Sequence, residues 1–134
     1  MIDANVVVSA ALSPASISRQ AIATARVLGT IALSEDVYRE FNEVLARSKF
    51  RRVISDDRRR EVLELLAAAA KWFEPTTPVA DCRDVKDNRY LELALASRAT
   101  AIVSGDEDLL VLDPWRTVRI VRPATFVREF REGD

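Results

Sequence analysis

Whatever chemistry this chain performs must be carried by its acids. It has no histidine and a single cysteine, Cys82. Serine–histidine and cysteine–histidine catalysis are therefore excluded, as are imidazole metal sites. Asp3 stands between Met1-Ile2 and the apolar run Val6-Val7-Val8. An ionised carboxylate at the edge of a core is costly unless it is paired, hydrogen-bonded or bound to a metal. Glu40, Asp87 and Asp106 follow in later stretches, with Asp108 two residues after the last. A set of oxygen ligands without histidine suits a hard cation, Mg2+ or Mn2+. Without one, clustered carboxylates repel and raise one another's pKa.

The elements around these acids decide whether they meet. Only Met1 and Ile2 precede Asp3, fewer than the roughly five residues of an ordinary strand. Either this strand is truncated or the true start lies upstream. A helix is predicted from Asn5 to Leu12 and is interrupted at Ser13-Pro14, because the residue before proline avoids the helical region. A second helix spans Ser16 to Leu28, with Ser16 or Ser18 as its cap and Gly29 as its stop. Thr30 to Leu33 reads as a strand. Ser34 then caps a helix running to about Arg47, with Glu35 and Asp36 in its first turn. Val37, Tyr38, Phe41, Val44 and Leu45 form one apolar stripe at about 100° per residue. Glu40 lies at its shoulder and Glu43 on the water side.

Arg47 to Val53 reads as a basic connector. A long helix, Asp57 to Lys71, is capped by Ser55 or Asp56. Trp72-Phe73-Glu74 reads as a strand, and Pro75 to Pro78 as a surface loop. Cys82 to Asn88 leads into a helix through Ser97, with Asp87 at the N-terminal end of the face lined by Tyr90, Leu91, Ala94 and Leu95. Ala101 to Ser104 is a strand, and Gly105 to Asp108 a turn opening a short helix, Leu109 to Leu112. Val118 to Val121 is a last strand, and Pro123 starts a final helix. Alternating strands and helices predict a three-layer α/β/α sandwich with a central parallel sheet, formed as a single domain over residues 1–134. Ligands of such sheets bind beyond the carboxyl ends of the strands. Asp3, Asp87 and Asp106 are all predicted at that rim.

Each acid also has an ordinary reading. Asp87 and Asp106 are good helix caps, and Asp84 serves equally well as the cap. Asp108 is a solvated first-turn residue or a partner behind the ligands. The net charge of −1 means that any nucleic-acid contact must come from a local basic patch. Arg51-Arg52 and Arg58-Arg59-Arg60 supply two candidates. All basic residues except Lys49, Lys71 and Lys86 are arginine, whose fork suits phosphate. A lone cysteine forms no intramolecular disulfide and favours a reducing cytoplasm. Cys82 itself reads as a packed small residue. No basic segment followed by an apolar run opens the chain, so no signal peptide is predicted. No apolar stretch approaches a membrane span.

Four stretches together resemble the acidic motifs of PIN-domain proteins. They are Asp3-Ala4-Asn5-Val6, Tyr38-Arg39-Glu40-Phe41-Asn42-Glu43-Val44-Leu45, Cys82-Arg83-Asp84-Val85-Lys86-Asp87-Asn88-Arg89-Tyr90-Leu91, and Ser104-Gly105-Asp106-Glu107-Asp108-Leu109-Leu110. The chain also resembles the VapC-like branch of toxin components of bacterial toxin–antitoxin systems. Ala4 departs from the family's common threonine. The resemblance implies a metal-dependent ribonuclease, in which Asp3, Glu40, Asp87 and Asp106 hold one or two Mg2+ or Mn2+ ions with Asp108 in or near the shell. It implies that Asn5 and Ser104 hydrogen-bond the acids or the phosphate, and that RNA is the substrate. It also implies a homodimer and an antitoxin protein that covers the site. The rival readings are a degenerate PIN domain that binds RNA or protein without catalysis, and another carboxylate–Mg2+ protein on a parallel sheet. A dehalogenase-like phosphatase wants an aspartate where Asn5 stands, and a response-regulator receiver wants a lysine beyond Lys86.

Overall fold

The computed structural model describes residues 1–130. Its architecture is three-layer α/β/α with short parallel strands. The helices are α1 (Ala4–Leu12), α2 (Ile17–Leu28), α3 (Glu35–Leu45), α4 (Ser48–Arg51), α5 (Asp56–Ala68), α6 (Asn88–Ser97), α7 (Glu107–Leu110) and α8 (Pro123–Phe130). The strands are β1 (Ile31–Leu33), β2 (Ala70–Trp72), β3 (Ala101–Val103) and β4 (Arg119–Val121).

The parallel ladders form two pairs rather than one continuous sheet. β1 pairs with β2, and β3 with β4. The N-terminal residues add a third line beside β3. Val103 N–H donates to the Met1 carbonyl at 2.8 Å, and Asp3 N–H to the Val103 carbonyl at 3.1 Å. The two residues before Asp3 therefore suffice for one parallel bridge, Ile2 to Val103. That bridge joins Asp3 directly to the carboxyl end of β3.

Apolar burial accounts for the helix that follows. Val6-Val7-Val8 is a β-branched run, which lowers intrinsic helix propensity. Yet Val6, Val7, Val8, Ala10 and Ala11 are all buried in α1. The helix packs against α2, α3 and α5, and a helix apolar all round belongs inside a core. Its N-terminus is fixed by Asp3, whose carboxylate accepts from Val6 N–H at 3.0 Å. α6 lies against β1 and β3 and touches α3. It thus brings its N-terminal acids to the ends of the strands. Among the described residues, no single helix is long and apolar enough to cross a membrane.

Beyond shifts of a residue or two at several element ends, three segments differ from the sequence expectation. Lys71 belongs to β2, not to the preceding helix, and the strand is Ala70–Trp72. Pairing with Ile31, Ala32 and Leu33 claims residues that carry no helix-stop signal of their own. The Arg47–Val53 connector contains one helical turn, α4. α7 starts at Glu107, two residues before Leu109, because Asp106 caps it by accepting from Asp108 N–H.

Candidate metal centre

Asp3 is the most tightly held of the acids. It is 3% exposed. Its Oδ1 accepts from Val6 N–H, and its Oδ2 accepts from the Ser104 hydroxyl. Ser104 is fully buried just after β3, and its hydroxyl oxygen in turn accepts from Asp106 N–H at 2.9 Å. One hydroxyl therefore links the acid at the end of the N-terminal bridge to the acid after β3. Burial pushes the Asp3 pKa up to about 6. The two hydrogen bonds pull it down, while Asp106 and Glu40 push it further up.

Asp87 and Asp84 arrive on a single 3-10 turn, Val85–Asp87. Asp84 caps that turn by accepting from Lys86 N–H at 3.2 Å. Asp87 is buried at its end, where α6 begins. Oxygens from Asp84, Asp87 and Asp106 all lie within 4.8 Å of one another. Burial first, then the adjoining Asp106 carboxylate, and then Asp84 and Asp3 raise the Asp87 pKa well above the ordinary carboxylate range. Asp87 Oδ2 is fully buried and has no hydrogen-bond donor.

Glu40 enters from α3. Its Oε1 accepts from the Tyr90 hydroxyl, and its Oε2 lies 4.0 Å from an Arg89 guanidinium nitrogen. Arg89 also lies 3.5 Å from Asp36. Glu43, three residues on from Glu40, faces solvent. The charge of Glu40 acts on Asp3, so the α3 acid belongs to the same field. Burial and then Glu40 push the Tyr90 pKa upward, and the phenol remains a donor.

The predicted residues thus divide. Asp3, Glu40, Asp87, Asp106 and Ser104 occupy one connected site. Asp84 stands in the close trio with Asp87 and Asp106. Asp108 meets the site through its backbone, because its N–H donates to Asp106 Oδ1 at 2.9 Å. Asn5 is exposed on the first turn of α1. Among the described residues its side chain makes no hydrogen bond with the acids. Arg51 and Arg52, exposed on α4 and just after it, make no ion pair with the acids either. Cys82 is buried, with its thiol donating to the Asp108 carbonyl at 3.4 Å. Burial, followed by lesser contributions from nearby carboxylates, raises its pKa, and it remains a packed thiol. Sequence reasoning assigned Tyr90 to the core face and did not connect it with Glu40. The available signal was that a buried tyrosine needs a partner for its hydroxyl.

No lysine or arginine among the described residues forms an ion pair with Asp3, Asp84, Asp87 or Asp106. Buried like charges have two remedies, a shared proton or a cation. Converging carboxylates with an unpartnered buried oxygen suit a divalent cation with hard oxygen ligands. The residues fit such an ion.

A family profile for the PIN domain matches residues 1–108. The chain belongs to the PIN-domain family. PIN domains are generally metal-dependent nucleases, and the acid cluster of this PIN domain fits a metal site. An uncharacterized protein of Methanocaldococcus jannaschii, MJ1680, is similar at 24% identity over 148 aligned positions. The match covers 98% of this chain and 91% of that protein. No solved structure matches the chain.

Proposed function

We propose that this PIN domain is an endoribonuclease dependent on Mg2+ or Mn2+. The observation that carries the proposal is the uncompensated convergence of Asp84, Asp87 and Asp106, with Asp87 Oδ2 buried and unpartnered. Asp3, Asp84, Asp87 and Asp106 would hold the ion, with Glu40 completing the ring of charge. Asp108 contributes through its amide. A bound ion of this kind supplies Lewis acidity at the phosphate and a more acidic water. The chain's own part is to hold the oxygens in place. Ser104 fixes Asp3 against Asp106, and Asp3 is further fixed by the α1 amide it caps.

A feature beside the acids supports single-stranded RNA as the substrate. A cavity of about 850 Å3 is lined by half-exposed Trp72 and by Arg39 and Arg89. Tyr38 props the indole edge-on, with ring centroids 5.4 Å apart. Arg89 joins this cavity to Glu40. An exposed indole stacks an unpaired base, and guanidinium groups take phosphate. Glu35, Asp36 and Glu74 also line it, which suits one stacked base better than a run of phosphates.

The biological role belongs to the same proposal. The chain acts as a VapC-like toxin in the cytoplasm, as a homodimer held in check by an antitoxin encoded nearby. Cleavage of a single-stranded RNA in Mg2+ or Mn2+, abolished by EDTA, tests the activity. Growth arrest on expression, relieved by co-expression of a small neighbouring reading frame, tests the role. Cleavage that survives excess EDTA would overturn the metal mechanism.

A further inference from the structure

We infer that Tyr90 is a positioning residue that holds the α3 acid in register with the acid at the N-terminal strand end. The inference rests on the metal-centre reading above. The Tyr90 side chain is fully buried on α6, at 1% exposure. Its hydroxyl uses both its donor and an acceptor position. It donates to Glu40 Oε1 on α3 and accepts from Ala4 N–H at 3.0 Å on the first turn of α1. Ala4 is the residue directly after Asp3. One oxygen atom therefore joins three helices and ties Glu40 to the residue next to Asp3.

The geometry is better suited to aiming a carboxylate than to filling space. The ring alone would satisfy the core, whereas the hydroxyl makes two hydrogen bonds, to Glu40 and from Ala4. Glu40 has a long side chain with several rotatable bonds, and its side chain is 17% exposed. Its other close partner, Arg89, sits 4.0 Å away and is shared with Asp36. The Tyr90 hydroxyl is thus the one hydrogen-bond donor to the Glu40 carboxylate among the described residues. Partners behind metal ligands set ligand orientation, and their loss typically weakens metal affinity by about 10- to 100-fold.

The test uses the full chain and Mn2+ itself, followed by electron paramagnetic resonance. Tyr90→Phe keeps the ring and removes the oxygen. Tyr38→Phe is the control, because these are the chain's two tyrosines. The half-saturating Mn2+ concentration is expected to rise about tenfold or more for Tyr90→Phe and to stay at the wild-type value for Tyr38→Phe. Melting of the metal-free Tyr90→Phe protein also falls, because the Ala4 amide loses its acceptor. Lowered melting with unchanged Mn2+ binding would show a merely structural hydroxyl and overturn the inference while leaving the metal reading intact. Failure of the wild type to bind Mn2+ would overturn both.

A second measurement does not depend on the variant folding. Wild-type protein carrying 3-fluorotyrosine gives two fluorine resonances. The Tyr90 resonance is expected to move on Mg2+ titration, in step with site occupancy. A Tyr90 resonance that stays still while Mg2+ binds would overturn the inference.

Discussion

Replacing Asp3 by asparagine should stabilise the metal-free protein at neutral pH. The Asp3 pKa is raised from 3.8 to about 6 in the fold, chiefly by burial. The folded state therefore holds a proton that the unfolded chain releases. Well below pH 3.8 both states are protonated, and the group contributes no difference. As pH rises through the window from 3.8 to about 6, the unfolded state ionises first and folding stability falls. Above that window the accumulated loss is about 3 kcal/mol, at 1.36 kcal/mol per pH unit. Asp87, whose pKa is also raised, adds loss in the same direction. Asparagine mimics the protonated acid. It remains a good N-cap, so the bond to Val6 N–H survives. In EDTA, urea unfolding of Asp3→Asn should therefore show a gain of about 2–3 kcal/mol over wild type near pH 7. The gain should shrink to about 0.5 kcal/mol near pH 4 and vanish about one pH unit lower. With Mg2+ present the gain should shrink or reverse, because the wild type keeps all four carboxylates that would hold the ion and so gains more stability from it. An Asp3→Asn protein less stable than wild type near pH 7 in EDTA, or a difference independent of pH, would refute the reasoning.

Two further predictions follow from the same geometry. Glu40→Gln should lower RNA cleavage by at least tenfold, whereas Glu43→Gln on the solvent side should leave it near wild type. Equal losses in a single-turnover assay would show that α3 presents the wrong acid. Ser104→Ala should cost about 2 kcal/mol in urea unfolding, because it strips both Asp3 Oδ2 and Asp106 N–H of their buried partner. It should also weaken Mn2+ binding in an electron paramagnetic resonance titration. Wild-type stability in this variant would mean that the hydroxyl is not the link between the two acids.

Most of the fold was legible because its helices announce themselves. Ser16, Ser34 and Ser55 cap α2, α3 and α5 by accepting amide protons, and Gly29 ends α2. The strands were legible as alternation but not in register. Each has three residues, too few for a period to mark the ends. β2 was misplaced because its boundaries come from pairing with β1, which is a tertiary fact. The site was legible as acids at one rim, and the helical stripe separated Glu40 from Glu43. The sequence left Asp84 and Asp87 competing for one capping role. In the fold the 3-10 turn lets Asp84 cap while staying beside Asp87. Asn5 follows Asp3 closely in sequence, yet the start of α1 turns it to solvent. The Tyr90 hydroxyl was hidden because helical periodicity assigns a face and says nothing about what a hydroxyl at the end of that face meets.

In the proposed activity these carboxylates work through a divalent cation on RNA. Cleavage of a single-stranded RNA by wild type and by Asp87→Asn, in Mn2+ and in excess EDTA, tests it most directly. Cleavage by the wild type is expected in Mn2+ alone, and none by Asp87→Asn under either condition, with the variant folded by circular dichroism. Cleavage by wild type in EDTA, or by folded Asp87→Asn at the wild-type rate in Mn2+, would contradict it.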